Sequence, residues 1–560
     1  MSIYIVRYSS ASNTHAEASR ASRCVQDCNS SMAFNDDEKP PASNVGSTKG
    51  LVTIKTPIYS KDETALTADA VTALVELNAT SSTAVREGPD LVAVLDVSGS
   101  MQGEKLASMK KAMHFVVMKL TPVDRLSIVS FNNSATRHCP LRSVTQAAQA
   151  NLTAIIDGLV ARGGTNIEVG MQTALAVFAG RATTNARTAN VFLMSDGQQN
   201  NGTDARRPDL GKAPVYTFGF GKDADHALLS DVARKSPGGT FSSVPDGRNV
   251  TAPFSQLLGG LLTVVAQDVQ LTLTPKTDNP DQDPDLGAMT VAPGTDYTHT
   301  KDDATGVITI KFGTLFSGEA RKVTVNLTLQ DSKETAEYDA KLAEAQHSYT
   351  AQGGLQNQTP QDIFIKRTPN PSDDPSAVSL KARAVLAEMA RRDHAGAIGE
   401  AREMADGKKL DDARYRLADA QNALEDVVTP DDGGRKLVGM LRAELLQLLD
   451  LMETQELYEA EGRPYALASE TSHGRQRYAA RGGDMDAVRL FATPRMDTYL
   501  KQAMKFEEDP TAPLPSADDD VKEEIAANPL AAISAPIAFY IKAAIQALQE
   551  IEKLVAPPAN

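Results

Sequence analysis

The stretch that most constrains the fold is DLVAVLDVSGSM, residues 90–101. Residues 91–95 form an unbroken Val- and Leu-rich run. Such a run suits a strand buried on both faces of a parallel sheet, because a half-exposed strand would alternate apolar and polar residues. The run stops at Asp96-Val97-Ser98-Gly99-Ser100, which sets one carboxylate and two hydroxyls at alternate positions on the turn that follows. Helical spacing then resumes from 104 to 120, carried by Leu106, Met109, Met113, Val116, Val117 and Leu120. In a doubly wound α/β sheet, the loop beyond a strand's carboxyl end is where ligands bind.

The oxygens in that loop point to a hard cation. They make a poor nucleophilic centre, because no base accompanies the serines and none of the eight histidines lies near Ser98 in sequence. The G-x-S-x-G elbow fails as well, since the residue two before Ser98 is Asp96 and not glycine. Oxygen ligands of low total charge suit Mg²⁺, Mn²⁺ or Ca²⁺, with positions left for water or a partner. On its own D-x-S-x-S also fits an ordinary polar turn. Two later stretches strengthen the cation reading. Gly163-Gly164-Thr165-Asn166 offers a further hydroxyl where a helical pattern opens at 167–178. A second buried-strand run, residues 191–194, ends in Ser195-Asp196-Gly197.

Asp96, Ser98, Ser100, Thr165 and Asp196, with the flanking FLMSDG, resemble the five-part metal-ion-dependent adhesion site of von Willebrand factor type A domains. The resemblance spans roughly residues 90–267. It implies a Rossmann-like fold with Asp96, Ser98, Ser100 and Thr165 near the cation and Asp196 bound directly or through water. It also implies Mg²⁺ (or Mn²⁺ or Ca²⁺) as cofactor, and a protein partner whose Asp or Glu carboxylate completes the octahedron.

Strand patterns flank this region. Residues 51–56 and 70–77 precede it, and 269–274, 306–311 and 321–329 follow. Two short upstream strands cannot bury their own faces. The expected fold is therefore an α/β type A domain inserted in a β-sandwich, followed by an α-helical C-terminal region. The expected boundaries are a disordered segment at 1–48, the first sandwich strands at 49–88, the type A domain at 89–267 and the rest of the sandwich at 268–352. A helical domain at 360–509, an acidic Pro-rich linker at 510–528 and a terminal amphipathic helix at 529–560 complete the chain. AREMADGKKLDDARYRLADAQNAL resembles one tetratricopeptide-like hairpin, but no second copy follows at a fixed period, so a plain helical hairpin is expected.

A formal charge of −15 argues against nucleic acid and against anionic membranes. No stretch reaches the roughly 18 apolar residues of a membrane helix. Three cysteines, Cys24, Cys28 and Cys139, make no disulfide framework and suit a reducing, cytoplasmic setting. The N-terminus has no secretory pattern, and its Ser-rich, acid-poor character leaves a transit peptide open. Against this acidic background Arg463, His473, Arg475, Arg477 and Arg481 form a basic cluster, read either as a solvated loop or as a site for acidic or phosphorylated peptides.

The layout, with YALASETSHGRQR in the tail, resembles plant proteins that join a type A domain to a sandwich and helices and usually carry a RING finger. It is also similar to the inter-alpha-trypsin inhibitor heavy chains. A RING finger needs eight Cys or His ligands, and residues 1–50 supply Cys24, Cys28 and His15. The expectation is a non-enzymatic, cation-dependent adaptor. The alternative is a substrate-recruiting component of a ubiquitin ligase or a RING-less relative of one.

Overall fold

The computed structural model describes residues 48–81, 88–181, 184, 187–209, 211–244, 250–276, 285–294, 296–372, 379–429, 431–482 and 488–527, with isolated helical positions at 541, 544 and 548. The segment 1–47, with Cys24 and Cys28, and the body of the expected terminal helix lie outside the described residues.

The strand Asp90–Asp96 sits in the middle of a seven-stranded sheet. It pairs in parallel with Arg125–Phe131 on one side and Ala189–Ser195 on the other, and Val215–Phe220 and Phe241–Val244 extend the parallel array. Every residue of this strand is buried, because helices cover both faces. Leu91, Ala93 and Leu95 enter one core with Met109, Met113 and Phe254. Val92 and Val94 enter the opposite core with Ile167, Met171 and Leu229. Burying each Val or Leu in this way contributes about 1.5–3 kcal/mol relative to exposure, so the unbroken apolar run fixes the strand in a central position.

The chain enters and leaves this domain through a two-layer β-sandwich. Asp69–Ala79 lies between Val52–Ile54 and Ala320–Leu329, pairing with the latter antiparallel from Asn78↔Ala320 to Asp69↔Leu329. The facing sheet contains Val264–Pro275, Ile308–Phe316, Tyr338–Ala351 and Gln361–Thr368, and Glu63–Ala65 joins its edge in parallel. Val71, Val75 and Leu77 share one core with Leu271, Ile310, Leu342 and Ile365. The upstream segment thus serves both layers, as an insertion requires. A chain shortened to begin at Asp90 is expected to lose the sandwich while keeping the parallel sheet, with limited proteolysis cutting between 264 and 368. Unchanged protease resistance there would show that the upstream strands are dispensable.

Two boundaries are corrected. The sandwich does not end at 352, because Gln361–Thr368 pairs with Tyr338–Ala345 and the helices begin only at Leu380. The reason is visible in the alternation of buried Ile363 and Ile365 with exposed Phe364. The segment 510–528 is also more than a linker. Its helix Ala517–Ala527 buries Asp520, which accepts from Lys119 Nζ at 2.7 Å. The helices Leu380–Asp406, Leu410–Glu425 and Asp432–Asp450 pack around Ile398, Leu417, Leu441 and Leu445. They form a three-helix cluster and not a repeat. A single-turn π segment, Tyr458–Gly462, leads into the helix Arg463–Arg475. Among the described residues no helix is long and apolar enough to cross a membrane.

Candidate functional site

Three loops converge at the carboxyl end of the parallel sheet. The first leaves Asp96 into the 3-10 turn Gly99–Met101. The second precedes the helix Ile167–Ala179, whose N-cap Asn166 accepts from Val169 N at 3.1 Å and so fixes Thr165 just outside the first turn. The third leaves Ser195. Backbone bonds tie them together: Gly99 N donates to Gly163 O at 2.9 Å, Arg162 N to Val97 O at 2.7 Å, and Asn201 N to Thr165 O at 3.0 Å. Glycine is required at 197, where φ is +69° and a Cβ would meet Asp225 O at 2.8 Å.

The five sequence-selected residues divide by exposure. Asp96, Ser98, Thr165 and Asp196 are buried and Ser100 is exposed, so the cluster opens on one side. Ser98 and Ser100 hydroxyls lie 3.1 Å apart. Asp96 Oδ1 accepts from Ser98 N at 2.8 Å, and its Oδ2 accepts from Ser195 Oγ at 2.5 Å. Asp196 Oδ2 accepts from Lys105 Nζ at 3.1 Å, while Oδ1 is buried without a hydrogen-bond partner. Thr165 N donates to Asn200 Oδ1 at 2.9 Å, and Asn133 Oδ1 accepts from Gly164 N and Asn201 Nδ2.

Both ends of the strand Asp90–Asp96 carry a fully buried carboxylate, and the two differ sharply. Asp90 faces Arg125, Arg181 and Arg187 at 2.6–2.9 Å. Burial would raise its carboxyl, but these guanidiniums outweigh burial and hold it below the usual range. Asp96 has hydroxyl and amide donors but no such ion pair. Burial pushes its carboxyl up to about 6 against the bonds from Ser195 and Ser98, and the neighbouring Asp196 charge adds to the rise. One end is electrostatically closed; the other is short of positive charge.

Sequence reasoning missed Ser195, Lys105 and the asparagines 133, 200 and 201. Ser195 adjoins Asp196, but a strand-end serine carries no signal of its own. Lys105 stands in an amphipathic helix, where lysine ordinarily marks the solvent face.

The basic cluster is corrected. His473, Arg475, Arg477 and Arg481 are each at most 6 % exposed and spend their donors inside the chain. Arg475 donates to Asp296 O, Arg234 O and Ser236 O. Arg477 donates to Glu319, to Thr314 O and to Gly238 O. Gln476, held at φ +45°, exchanges two bonds with the Lys322 backbone. Arg463 alone of the five is partly open, paired with Asp406 in a polar cleft of about 590 Å³ beside Gln198, Asn200 and His226. The loop is therefore a joint between domains and not an acidic-peptide surface.

Among the described residues, His394, Glu444 and His473 also come within metal-ligand reach. Both imidazole Nε2 atoms sit 2.8 Å from Glu444 Oε2, and Arg481 Nε donates to Oε1 at 2.7 Å. Arg391 Nη1 lies 3.2 Å from His473 Nδ1, which must accept from it. That leaves the His473 proton on Nε2, facing the carboxylate. The trio is a hydrogen-bonded knot between helices in which His394 Nδ1 stays without a partner, and the Arg481 and Arg391 guanidiniums already supply positive charge beside it.

Residues 90–256 match the von Willebrand factor type A domain, and residues 435–505 match the VWA / Hh protein intein-like family. The chain thus carries a von Willebrand factor type A domain at residues 90–256. It is 27 % identical over 239 residues to the E3 ubiquitin-protein ligase WAV3 of Arabidopsis thaliana, covering 42 % of this chain and 30 % of the relative. To inter-alpha-trypsin inhibitor heavy chain H1 of Bos taurus it is 24 % identical over 197 residues, covering 32 % of this chain and 21 % of that one. The chain spans less than a third of either relative. A solved structure of a von Willebrand factor type A protein from Catenulispora acidiphila shares the fold, with TM-score 0.55 at 19 % identity, covering 74 % of this chain and 92 % of that one.

Proposed function

We propose that this chain is a divalent-cation-dependent interaction protein. Asp96, Ser98, Ser100, Thr165 and Asp196 would hold Mg²⁺ (or Mn²⁺ or Ca²⁺), and the cation would take an Asp or Glu carboxylate from a protein partner. The observation that carries this reading is the pair of buried carboxylates, Asp96 and Asp196, served by one lysine and leaving Asp196 Oδ1 unpartnered. Such a pair is costly to bury unless a cation joins it. The hard-oxygen donor set suits an alkaline-earth ion or Mn²⁺.

The chain's own residues do the positioning. Ser195 and the Ser98 amide orient Asp96. Asn200 and Asn133 hold the Thr165 loop against the loops that follow Ser195 and Phe131, and the backbone bonds from Gly99 N and Arg162 N tie it to the Ser98 loop. Ser100 stands at the open side, where a partner would approach. The cation, when bound, supplies the Lewis acid that a partner's carboxylate ligates. The sparse cysteines support a cytoplasmic setting. The likeness to an E3 ubiquitin-protein ligase favours substrate recruitment as a second reading, in which the same site would capture the protein to be modified.

The test is capture from an extract of the source organism with the full chain as bait. Specific capture should require Mg²⁺, reverse with EDTA and weaken in saturating free acetate. Equal capture in EDTA would remove the cation from the interaction.

A further inference from the structure

We propose that Lys105 sets the charge of the cation site, weakening the cation's hold while making the loaded site attractive to an anionic partner. This rests on the cation reading above and deepens it.

Lys105 lies in the first turn of the helix Glu104–Lys119, which begins just after the Asp96 loop. Its Nζ stands 3.1 Å from Asp196 Oδ2, and its side chain is 20 % exposed beside a fully buried carboxylate. It occupies one oxygen of Asp196 and leaves Oδ1 unpartnered. The ammonium therefore leaves Asp196 Oδ1 available to a cation while placing a positive charge beside the site.

The formal charges then decide the chemistry. Asp96, Asp196 and Lys105 sum to −1 before a cation enters and to +1 once a divalent ion is held. A partner carboxylate brings the assembly to zero, which favours closing the coordination sphere with an anion over closing it with water. Without Lys105 the two carboxylates alone neutralise the cation. The loaded site is then neutral, and an arriving carboxylate would leave it at −1. A unit charge in contact with a fully buried carboxylate acts strongly on any ion that carboxylate holds, because little solvent screens it. The two affinities must therefore move in opposite directions. A merely structural role for Lys105 would lower both or neither.

The experiment uses the full chain in three forms: wild type, Lys105→Met and Lys105→Arg. Free Mn²⁺ is followed by electron paramagnetic resonance to give the cation affinity. Acetate is then titrated into the Mn²⁺-loaded protein and followed by water-proton relaxation. Lys105→Met is expected to bind Mn²⁺ about tenfold or more tightly and acetate about tenfold more weakly than wild type, while Lys105→Arg keeps both near wild type. Unchanged affinities in Lys105→Met, with wild type binding Mn²⁺, would overturn the role of Lys105 and leave the cation site standing. Loss of both affinities in Lys105→Met would reduce the lysine to a structural part and overturn the proposal. Failure of wild type to bind Mn²⁺ would overturn the cation site, and this inference with it.

Discussion

Glu319→Ala is expected to destabilise the protein by about 3–5 kcal/mol, the usual cost of leaving buried charges without their partner. Glu319 is 3 % exposed and accepts from Arg477 Nε and Nη2 at 2.8 Å and from Arg321 Nη2 at 2.7 Å. Burial would raise its carboxyl, but the Arg321 and Arg477 guanidiniums outweigh burial and hold it below the ordinary range. Arg477 also stacks 3.8 Å above the Phe316 ring and reaches Gly238 O in the type A domain. One carboxylate therefore anchors a contact among the sandwich, the type A domain and the helical region. Its removal strands two guanidiniums where water does not reach. A chain of several domains need not unfold in one step, so the readout is a urea titration followed by both tyrosine fluorescence and circular dichroism. Early loss of the tertiary signal is expected, and the double change Glu319→Ala with Arg477→Met should recover part of the stability. A Glu319→Ala protein with the wild-type transition would show that the joint does not hold the domains together.

Asp96→Ala is expected to abolish divalent-cation binding while the domain stays folded. In cation-free buffer the variant should be at least as stable as wild type, because it loses a buried carboxylate that has no guanidinium beside it. In Mg²⁺ the order reverses. A ligand that binds only the folded state stabilises by about 2.7 kcal/mol at a hundred times its Kd, and the variant cannot receive this. Thermal unfolding of both proteins with Mg²⁺ and with EDTA separates the cases. The Mg²⁺-dependent shift should be present in wild type and absent in Asp96→Ala. An equal shift in both would place the cation elsewhere, and no shift in either would leave the loop an ordinary polar turn. Asp90→Ala, at the other end of the same strand, should instead be strongly destabilising in either buffer, since it frees three buried or half-buried arginines.

What could be read from the sequence was local. The run at 91–95 had to be buried on both sides, and the five candidate positions sit where strands and helices begin or end, so the parallel sheet and the candidate site were read from the same stretches. The insertion was legible from two upstream strands that could not bury their own faces. The strand Gln361–Thr368 escaped because its alternation rests on Ile363 and Ile365 alone. Arg475, Arg477 and Arg481 were misplaced for a different reason. A run of arginines in a short segment ordinarily means solvent. Nothing near Arg477 in the chain announces Glu319, which is 158 residues away. Lys105 likewise reads as a surface lysine until Asp196, 91 residues on, is brought to it.

The insertion has a mechanical consequence. The candidate cation site lies at one end of the parallel sheet, and the domain's two attachments to the sandwich leave from Asp90 and Val264. A load applied at the proposed site would pass along the central strand and be divided between two tethers. On the upstream side it meets Asp69–Ala79, laced to Ala320–Leu329. On the downstream side it meets Val264–Pro275, laced to Ile308–Phe316 and Tyr338–Ala351. Pulled along their length, such ladders are sheared with many bonds resisting at once.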